Sequence, residues 1–275
     1  MISIVIPSIG RSDTIEKSLV SAQATEKSLV KEILVLDNSQ SQKFNSRLKN
    51  FIEKLNDERF TIIEYEERRP MAQSWNGAFE YISQPWVLYL HDDDEILPDK
   101  FNLLADYLNN CKDSSFLSFD YLIGLSAGSK CQKIRSRREK RLKGSVYQKI
   151  ISDCPKFVST IINVKCLEDI GGWSENTGYF LDFVGFIELA SLKEPQFLDV
   201  VIGLYNIHDD NESSISKRDY MYGRFIPIVS KKVFEKLSEE EDRRQFVRLL
   251  NNFVYPNQSR SVIFRLARKI EMLYD

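Results

Sequence analysis

The segment "WVLYLHDDDEILP", Trp86 to Pro98, decides the fold. Trp86 to Leu90 is an unbroken apolar run, the pattern of a strand covered on both faces rather than one. His91 and three aspartates, Asp92, Asp93 and Asp94, follow directly. Pro98 then suits the first turn of a helix, where its missing N–H costs nothing. The segment reads as strand, acidic turn, helix.

The same alternation extends towards the N-terminus. "ISIVIPS" (2–8) is a β-branched run ending after Pro7. "SDTIEKSLVSAQAT" (12–25) carries Ile15, Leu19 and Ala22 on one helical face, with Ser12 or Asp13 as cap. "KEILVLDNS" is a second strand ending in Asp37. "FNSRLKNFIEKLN" is a helix with Phe44, Leu48, Phe51, Ile52 and Leu55 on one stripe. "FTIIEYE" is a third strand, "MAQSWNGAFEYIS" a helix, and "PDKFNLLADYLNN" the helix after the acids. Apolar strands alternating with amphipathic helices predict an α/β fold with a mostly parallel central sheet flanked by helices. Ligands of such sheets sit beyond the carboxyl ends of the strands. Ser8 and Arg11, Asp37 and Asn38, Arg68 and Arg69, and His91 to Asp94 are therefore expected on one rim.

Beyond residue 110 the pattern loosens. "SSFLSFDYLIGLSAG" reads as one or two strands. "FVSTIINVKCLEDIGGW" reads as strand, short helix and Gly-Gly turn. "YFLDFVGFIELASL" is expected to be helical from about Asp182, and "PQFLDVVIGLYNIH" to be a strand pair or one long strand. From Lys217 onward the chain reads as helical and charged. The expected division is one domain over 1–215, with halves 1–110 and 111–215, and a helical C-terminal appendage over 216–275.

Composition narrows the function classes. With 275 residues the chain can bury a large core. A net charge of −2 argues against a dedicated nucleic-acid binder. Cys111, Cys131, Cys154 and Cys166 form no CxxC pair, which predicts neither a zinc framework nor a redox motif and fits a reduced, cytoplasmic setting. "MISIVIPSIGR" is too short and lacks the basic lead of a signal peptide, and no apolar run approaches membrane-spanning length. Residues 130–143 hold eight Lys or Arg and one Glu. This run is either a solvated loop or an attraction to an anionic surface. "RSVIFRLARKIEMLY" has Ile263, Leu266, Ile270 and Leu273 at helical spacing beside Arg260, Arg265, Arg268 and Lys269. Such a helix fits the membrane face, the protein body or a second subunit in a homo-oligomer.

Clustered carboxylates at a strand end repel one another and call for a cation. Hard oxygen ligands suit Mg²⁺ or Mn²⁺, which also bind phosphate oxygens. The competing reading is a helix cap.

"ISIVIPSIGR", "EILVLDNS", "MAQSWNGAFEYIS" and "WVLYLHDDDEILP", in this order and spacing, resemble the nucleotide-sugar half of family 2 glycosyltransferases of the GT-A fold, over about residues 1 to 110 and more loosely to about 215. The family pattern at the fourth strand is Asp-x-Asp-Asp with Pro four residues on. Aligned on Pro98, Asp93 and Asp94 match its last two acids, and His91 replaces its first. The resemblance implies Asp93 as metal ligand with Asp94 beside it, and Asp92 towards the ribose or behind the metal. It implies Asp37 and Asn38 at the base, and Pro7, Ser8 and Arg11 around base and diphosphate. Asn76 would contact the nucleoside, and Arg69, with Arg68, the phosphates. Asp182 would be the catalytic base, with Glu175 and Glu188 in reserve, although Leu181 stands where the family has an acid. His208, after "VVIGLYNI", would be a third metal ligand or diphosphate contact.

The implied activity is metal-dependent, inverting transfer of a sugar from a nucleotide-sugar donor, a UDP-sugar, to a saccharide acceptor on a lipid diphosphate, as in O-antigen or capsule assembly. Three rivals stand beside it. A nucleotidyltransferase would want a glycine-rich loop where "PSIGRSDT" has one glycine. A dinucleotide-dependent oxidoreductase would want GxGxxG. An inactive nucleotide-sugar-binding or scaffold subunit fits the changes at 91 and 181.

Overall fold

The computed structural model describes residues 1–127, 130–135, 144–207 and 228–254. Its strands are β1 (Ile2–Ser8), β2 (Val30–Asp37), β3 (Phe60–Glu64), β4 (Trp86–Tyr89), β5 (Glu95–Ile96), β6 (Phe116–Ala127), β7 (Lys130–Arg135), β8 (Thr160–Asn163) and β9 (Gln196–Ile207). The helices are α1 (Ser12–Gln23), α2 (Gln42–Leu55), α3 (Met71–Asn76), α4 (Pro98–Phe101), α5 (Ala105–Asn110), α6 (Val146–Ser152), α7 (Val164–Asp169), α8 (Leu181–Leu192) and, after helical residues 228–234, α9 (Glu240–Val254).

The strands form one sheet in the order β3-β2-β1-β4-β8-β6-β9-β5, with β7 paired to β6. β1, β2, β3, β4, β6 and β9 run one way; β5, β7 and β8 run the other. The expected α/β class with a mostly parallel sheet is what the chain adopts.

The unbroken apolar strands are explained by a core on each face. Ile2, Ile4 and Ile6 of β1, and Trp86 and Leu88 of β4, pack with Ile15 and Leu19 of α1 and Phe44 and Leu48 of α2. The alternate residues Val5, Val87 and Tyr89 pack into the opposite core with Trp75, Phe157, Trp173 and Phe186. Successive strand residues point to opposite faces, so both sets must be apolar. Residues 228–254 join that second core through Val229, Val233, Phe234, Phe246 and Val247.

Several expected elements differ in detail. α1 starts at Ser12 itself, with Arg11 in the capping position and no side-chain cap. The helix expected over 71–83 is helical only to Asn76, then tightens to a 3₁₀ turn over Gly77–Glu80. Both 116–127 and 196–207 are single long strands. β5 was not expected at all. Two residues carry no periodicity, and their pairing, Glu95 with Leu204 and Ile96 with Gly203, is wholly non-local. The Gly-Gly turn holds Gly171 at φ +80° and Gly172 at φ +78°, the left-handed region that side chains disfavour. Residues 136–143 of the basic run and the helix expected over 260–273 lie outside the described residues.

Candidate active site

β1 and β4 are neighbours, with β2 flanking β1 on one side and β8 flanking β4 on the other. Strand order reverses at this point, so a crevice opens at the carboxyl ends of β1 and β4. Ser8 closes β1 and residues 91–94 follow β4. Across the crevice, Ser8 Oγ donates to Asp92 Oδ2 at 2.6 Å.

The turn 91–94 is held by three elements. Its own backbone closes it, with Asp94 N–H donating to His91 O at 3.1 Å. From α1, Ser18 Oγ meets Asp94 O at 2.6 Å and His91 O at 3.2 Å. From β9, Asn206 donates its N–H to Asp94 Oδ1 at 2.9 Å and its Nδ2 to Asp93 O at 2.8 Å. The β5–β9 pairing is what carries Asn206 to this place.

Arg11 supplies the charge facing the acids. Its Nε and Nη2 lie 3.0 and 2.6 Å from Asp92 Oδ1, and its Nη1 lies 3.0 Å from Asp93 Oδ2. Burial pushes the Asp92 carboxyl above its ordinary range, against the pull of Arg11 and Ser8. Burial and then the Asp93 charge push Asp94 well above that range, while the Asn206 N–H opposes. Burial holds the His91 imidazole below its ordinary value, although Asp93 and Asp92 pull it up.

These groups open onto a cavity of about 560 Å³. Pro7, Ser8, Arg11, Asn38, Arg68, Arg69, Trp75, His91 and Asp93 line it from the first half of the chain. Phe157, Ser174, Glu175, Gly178, Leu181, Asp182 and Tyr205 line it from the second. Asp182 stands in the first turn of α8, where Phe183 N–H donates to its Oδ1 at 2.7 Å. Burial raises the Asp182 carboxyl above its ordinary value, opposed first by the Lys156 charge.

A family model, glycosyl transferase family 2, matches residues 3–160. That is more than half of the 275 residues. The chain belongs to glycosyl transferase family 2. No curated protein matches the sequence significantly. Among solved structures, S. aureus TarS 1–349 in complex with UDP-GlcNAc superposes with a TM-score of 0.71 at 16% identity, over 96% of this chain and 75% of that one. The same TarS fragment with UDP gives 0.68 at 16% identity, over 96% and 74%. Mannosyltransferase PcManGT from Pyrobaculum calidifontis, in complex with GDP-Man and Mn²⁺, gives 0.66 at 14% identity, over 98% and 73%. At such identities the likeness is one of fold, and it is the GT-A fold.

In this family 2 glycosyltransferase the residues singled out in the sequence fall into two tiers. Pro7, Ser8, Arg11, Asn38, Arg69, Asp93 and Asp182 line the cavity, as do Arg68 and Glu175. Asp37, Asn76, Asp92, Asp94 and Glu188 are not among its lining residues. Asp37 accepts from Ser39 N–H at 2.9 Å and Asn45 Nδ2 at 3.1 Å, which stiffens the loop after β2. Asn38 and Arg69 exchange two 2.8 Å bonds between the Asn38 amide and the Arg69 backbone, and the Arg69 guanidinium lies 4.0 Å over the Tyr65 ring. Asn76, expected at the nucleoside, makes its contacts here with the Trp173 backbone. Both ends of its amide are taken by the Trp173 backbone, at 2.9 and 2.8 Å, so it fixes the Gly-Gly turn. Glu188 faces Lys232 at 3.1 Å. His208 lies outside the described residues.

His91, Asp93 and Asp94 each offer a ligand atom, and these atoms lie within 4.8 Å of one another. The donor set, one imidazole and two carboxylates, fits a divalent cation. Sequence reasoning missed Ser18, Asn206, Trp75 and Phe157. The signal for Asn206 was its place in "LYNIH", a polar residue near the end of an apolar strand two positions before His208.

Proposed function

We propose that this enzyme transfers a sugar with inversion from a UDP-sugar to a saccharide hydroxyl carried on a lipid diphosphate, in O-antigen or capsule assembly, with Mn²⁺ or Mg²⁺ as cofactor. The observation that carries this reading is the meeting of the Asp93 carboxylate and Asp182 on one 560 Å³ cavity. The UDP-GlcNAc and UDP of the TarS structures, and the GDP-Man and Mn²⁺ of the mannosyltransferase, support a nucleotide-sugar donor and a divalent cation.

Asp93 and Asp94 would hold the cation, with His208 as a third group. When bound, the metal neutralises charge developing on the departing diphosphate. Arg11 and Arg69 add fixed positive charge at the same rim. Asp182 accepts the proton of the acceptor hydroxyl, and its raised pKa makes it the stronger base for it. Trp75 and Phe157 keep water from the reacting centre. Residues 1–110 form the donor half, 111–215 the acceptor half, and 216–275 the C-terminal extension. Among the described residues no helix is long and apolar enough to cross a membrane. A lipid-linked acceptor would be met at the membrane face, where the basic sequences 130–143 and 260–273 would favour anionic lipid.

The test is release of nucleoside diphosphate from a panel of UDP- and GDP-sugars, with a lipid extract as acceptor. Turnover of one UDP-sugar that stops on chelation and returns with Mn²⁺ supports the proposal. Turnover unaffected by chelation removes the metal from it, and silence with every donor removes the transferase.

A further inference from the structure

We infer that His91 is a nitrogen ligand of the divalent cation and sets the preference of this site for Mn²⁺ over Mg²⁺. The inference rests on the proposed metal-dependent reading and adds a residue that the acid pattern of the strand end does not contain.

A histidine buried for structural reasons has both ring nitrogens satisfied by hydrogen bonds. His91 does not. Its Nε2 is buried without a hydrogen-bond partner, and its Nδ1 is 4.0 Å from Asp94 Oδ2, beyond hydrogen-bond distance. The ring is held by packing instead, with Trp75 and Phe157 at 5.4 Å between centroids. One third of the side chain stays exposed, and it lines the cavity beside Asp93.

The backbone around it is fixed. Ser18 grips His91 O and Asp94 O, and Asn206 grips Asp93 O. The three donors therefore do not need to be gathered by a loop movement. Atoms no more than 4.8 Å apart fit on a sphere of radius about 2.8 Å. An octahedral Mg²⁺ site closes at roughly 2.1 Å, so each donor is within about 1 Å of a closed site.

The chemistry then separates the metals. Mg²⁺ favours oxygen ligands and gives up its waters reluctantly, whereas imidazole suits metals further along the transition series. Replacing an acid by an imidazole at this position lowers the charge offered to Mg²⁺ and gains a nitrogen for Mn²⁺.

The chain has two histidines, His91 and His208, so two variants partition every nitrogen signal a histidine could give. The experiment is pulsed electron paramagnetic resonance of Mn²⁺ bound to the full-length protein labelled with ¹⁵N-histidine, without donor. Mn²⁺ and Mg²⁺ affinities are measured by calorimetry in parallel. Histidine coupling is expected in wild type, should persist in His208→Phe, where His91 is the one histidine left, and should vanish in the double variant His91→Phe/His208→Phe, since a phenyl ring at position 91 fits the same aromatic slot. His91→Phe should lose at least about tenfold in Mn²⁺ affinity. His91→Asp should bind Mn²⁺ but lose the Mn²⁺ preference over Mg²⁺. Coupling absent from His208→Phe, or a preference unchanged in His91→Asp, would overturn the inference while leaving metal-dependent transfer intact. Failure of wild type to bind either metal overturns the inference, and chelator-insensitive turnover would then also end the metal-dependent reading.

Discussion

Asp94 is a buried carboxyl and Asp182 a half-buried one, both with raised pKa values, and they predict opposite experiments. For Asp182 the neutral form cannot accept a proton. Transfer should therefore fall as pH drops through a value above the ordinary carboxylate range, which a pH–rate profile at saturating donor measures. Asp182→Asn should lose about 10²- to 10⁴-fold in transfer yet bind UDP as wild type does. Lost UDP binding would move Asp182 to the donor site. For Asp94 the consequence is stability. A folded pKa above the unfolded one means the native state holds the proton more tightly, so stability falls as pH rises from the ordinary carboxylate range through the raised value. At neutral pH with chelator, Asp94→Asn removes that cost and its amide oxygen still accepts the Asn206 N–H. Its melting temperature should rise by roughly 2–4 °C, the shift that about 1 kcal/mol produces in a chain of this size. A lower value would show that the Asp94 charge is stabilised without metal. At this scale the sequence offers the candidate residues but not their partners. Nothing in "PSIGR" announces that Arg11 reaches two aspartates some eighty positions away.

The site is assembled by elements that meet only in three dimensions. α3 and the turn before α8 are tied by Asn76, whose amide takes both the N–H and the O of Trp173. Asn76→Ala leaves those backbone groups unpaired and should cost about 1–3 kcal/mol in a denaturation series. It should also lower transfer more than UDP affinity, because the turn leads to Asp182 while the base-side wall stays in place. A selective loss of UDP affinity would restore the nucleoside contact expected from the sequence. β1, β2, β3, β4 and their helices were legible because burial on both faces prints an unbroken apolar run. β5 and the Asn206 clamp were not, because a two-residue pairing leaves no periodic trace. The expected cap of α1 failed for a local reason: Arg11 takes the capping position and spends its side chain on Asp92.

At the scale of the whole molecule, residues 228–254 are part of the core that lies behind Asp182. Phe246 of α9 is fully buried, stacks on Phe183 at 5.9 Å and meets Phe234 at 5.4 Å. Phe183 is the residue next to Asp182. Phe246→Ala should therefore cost about 3–5 kcal/mol and lower one unfolding transition. A separate early transition, with the rest unchanged, would make the C-terminal helices an independent unit. The two-sided sheet and the strand-end rim were predictable because they follow from the order of apolar runs. The packing of the C-terminal helices against α8 was not, because amphipathic helices have the same pattern whatever they cover.

The central claim is that the acids after β4 and Asp182 serve one metal-dependent sugar transfer. Nucleoside diphosphate release from a UDP-sugar panel with lipid-linked acceptor, comparing wild type, Asp93→Asn and Asp182→Asn with Mn²⁺ or chelator, tests it most directly. One donor should turn over in wild type with Mn²⁺ alone, and both variants should fall at least about a hundredfold below it. Undiminished turnover by Asp93→Asn, or by wild type in chelator, would contradict it.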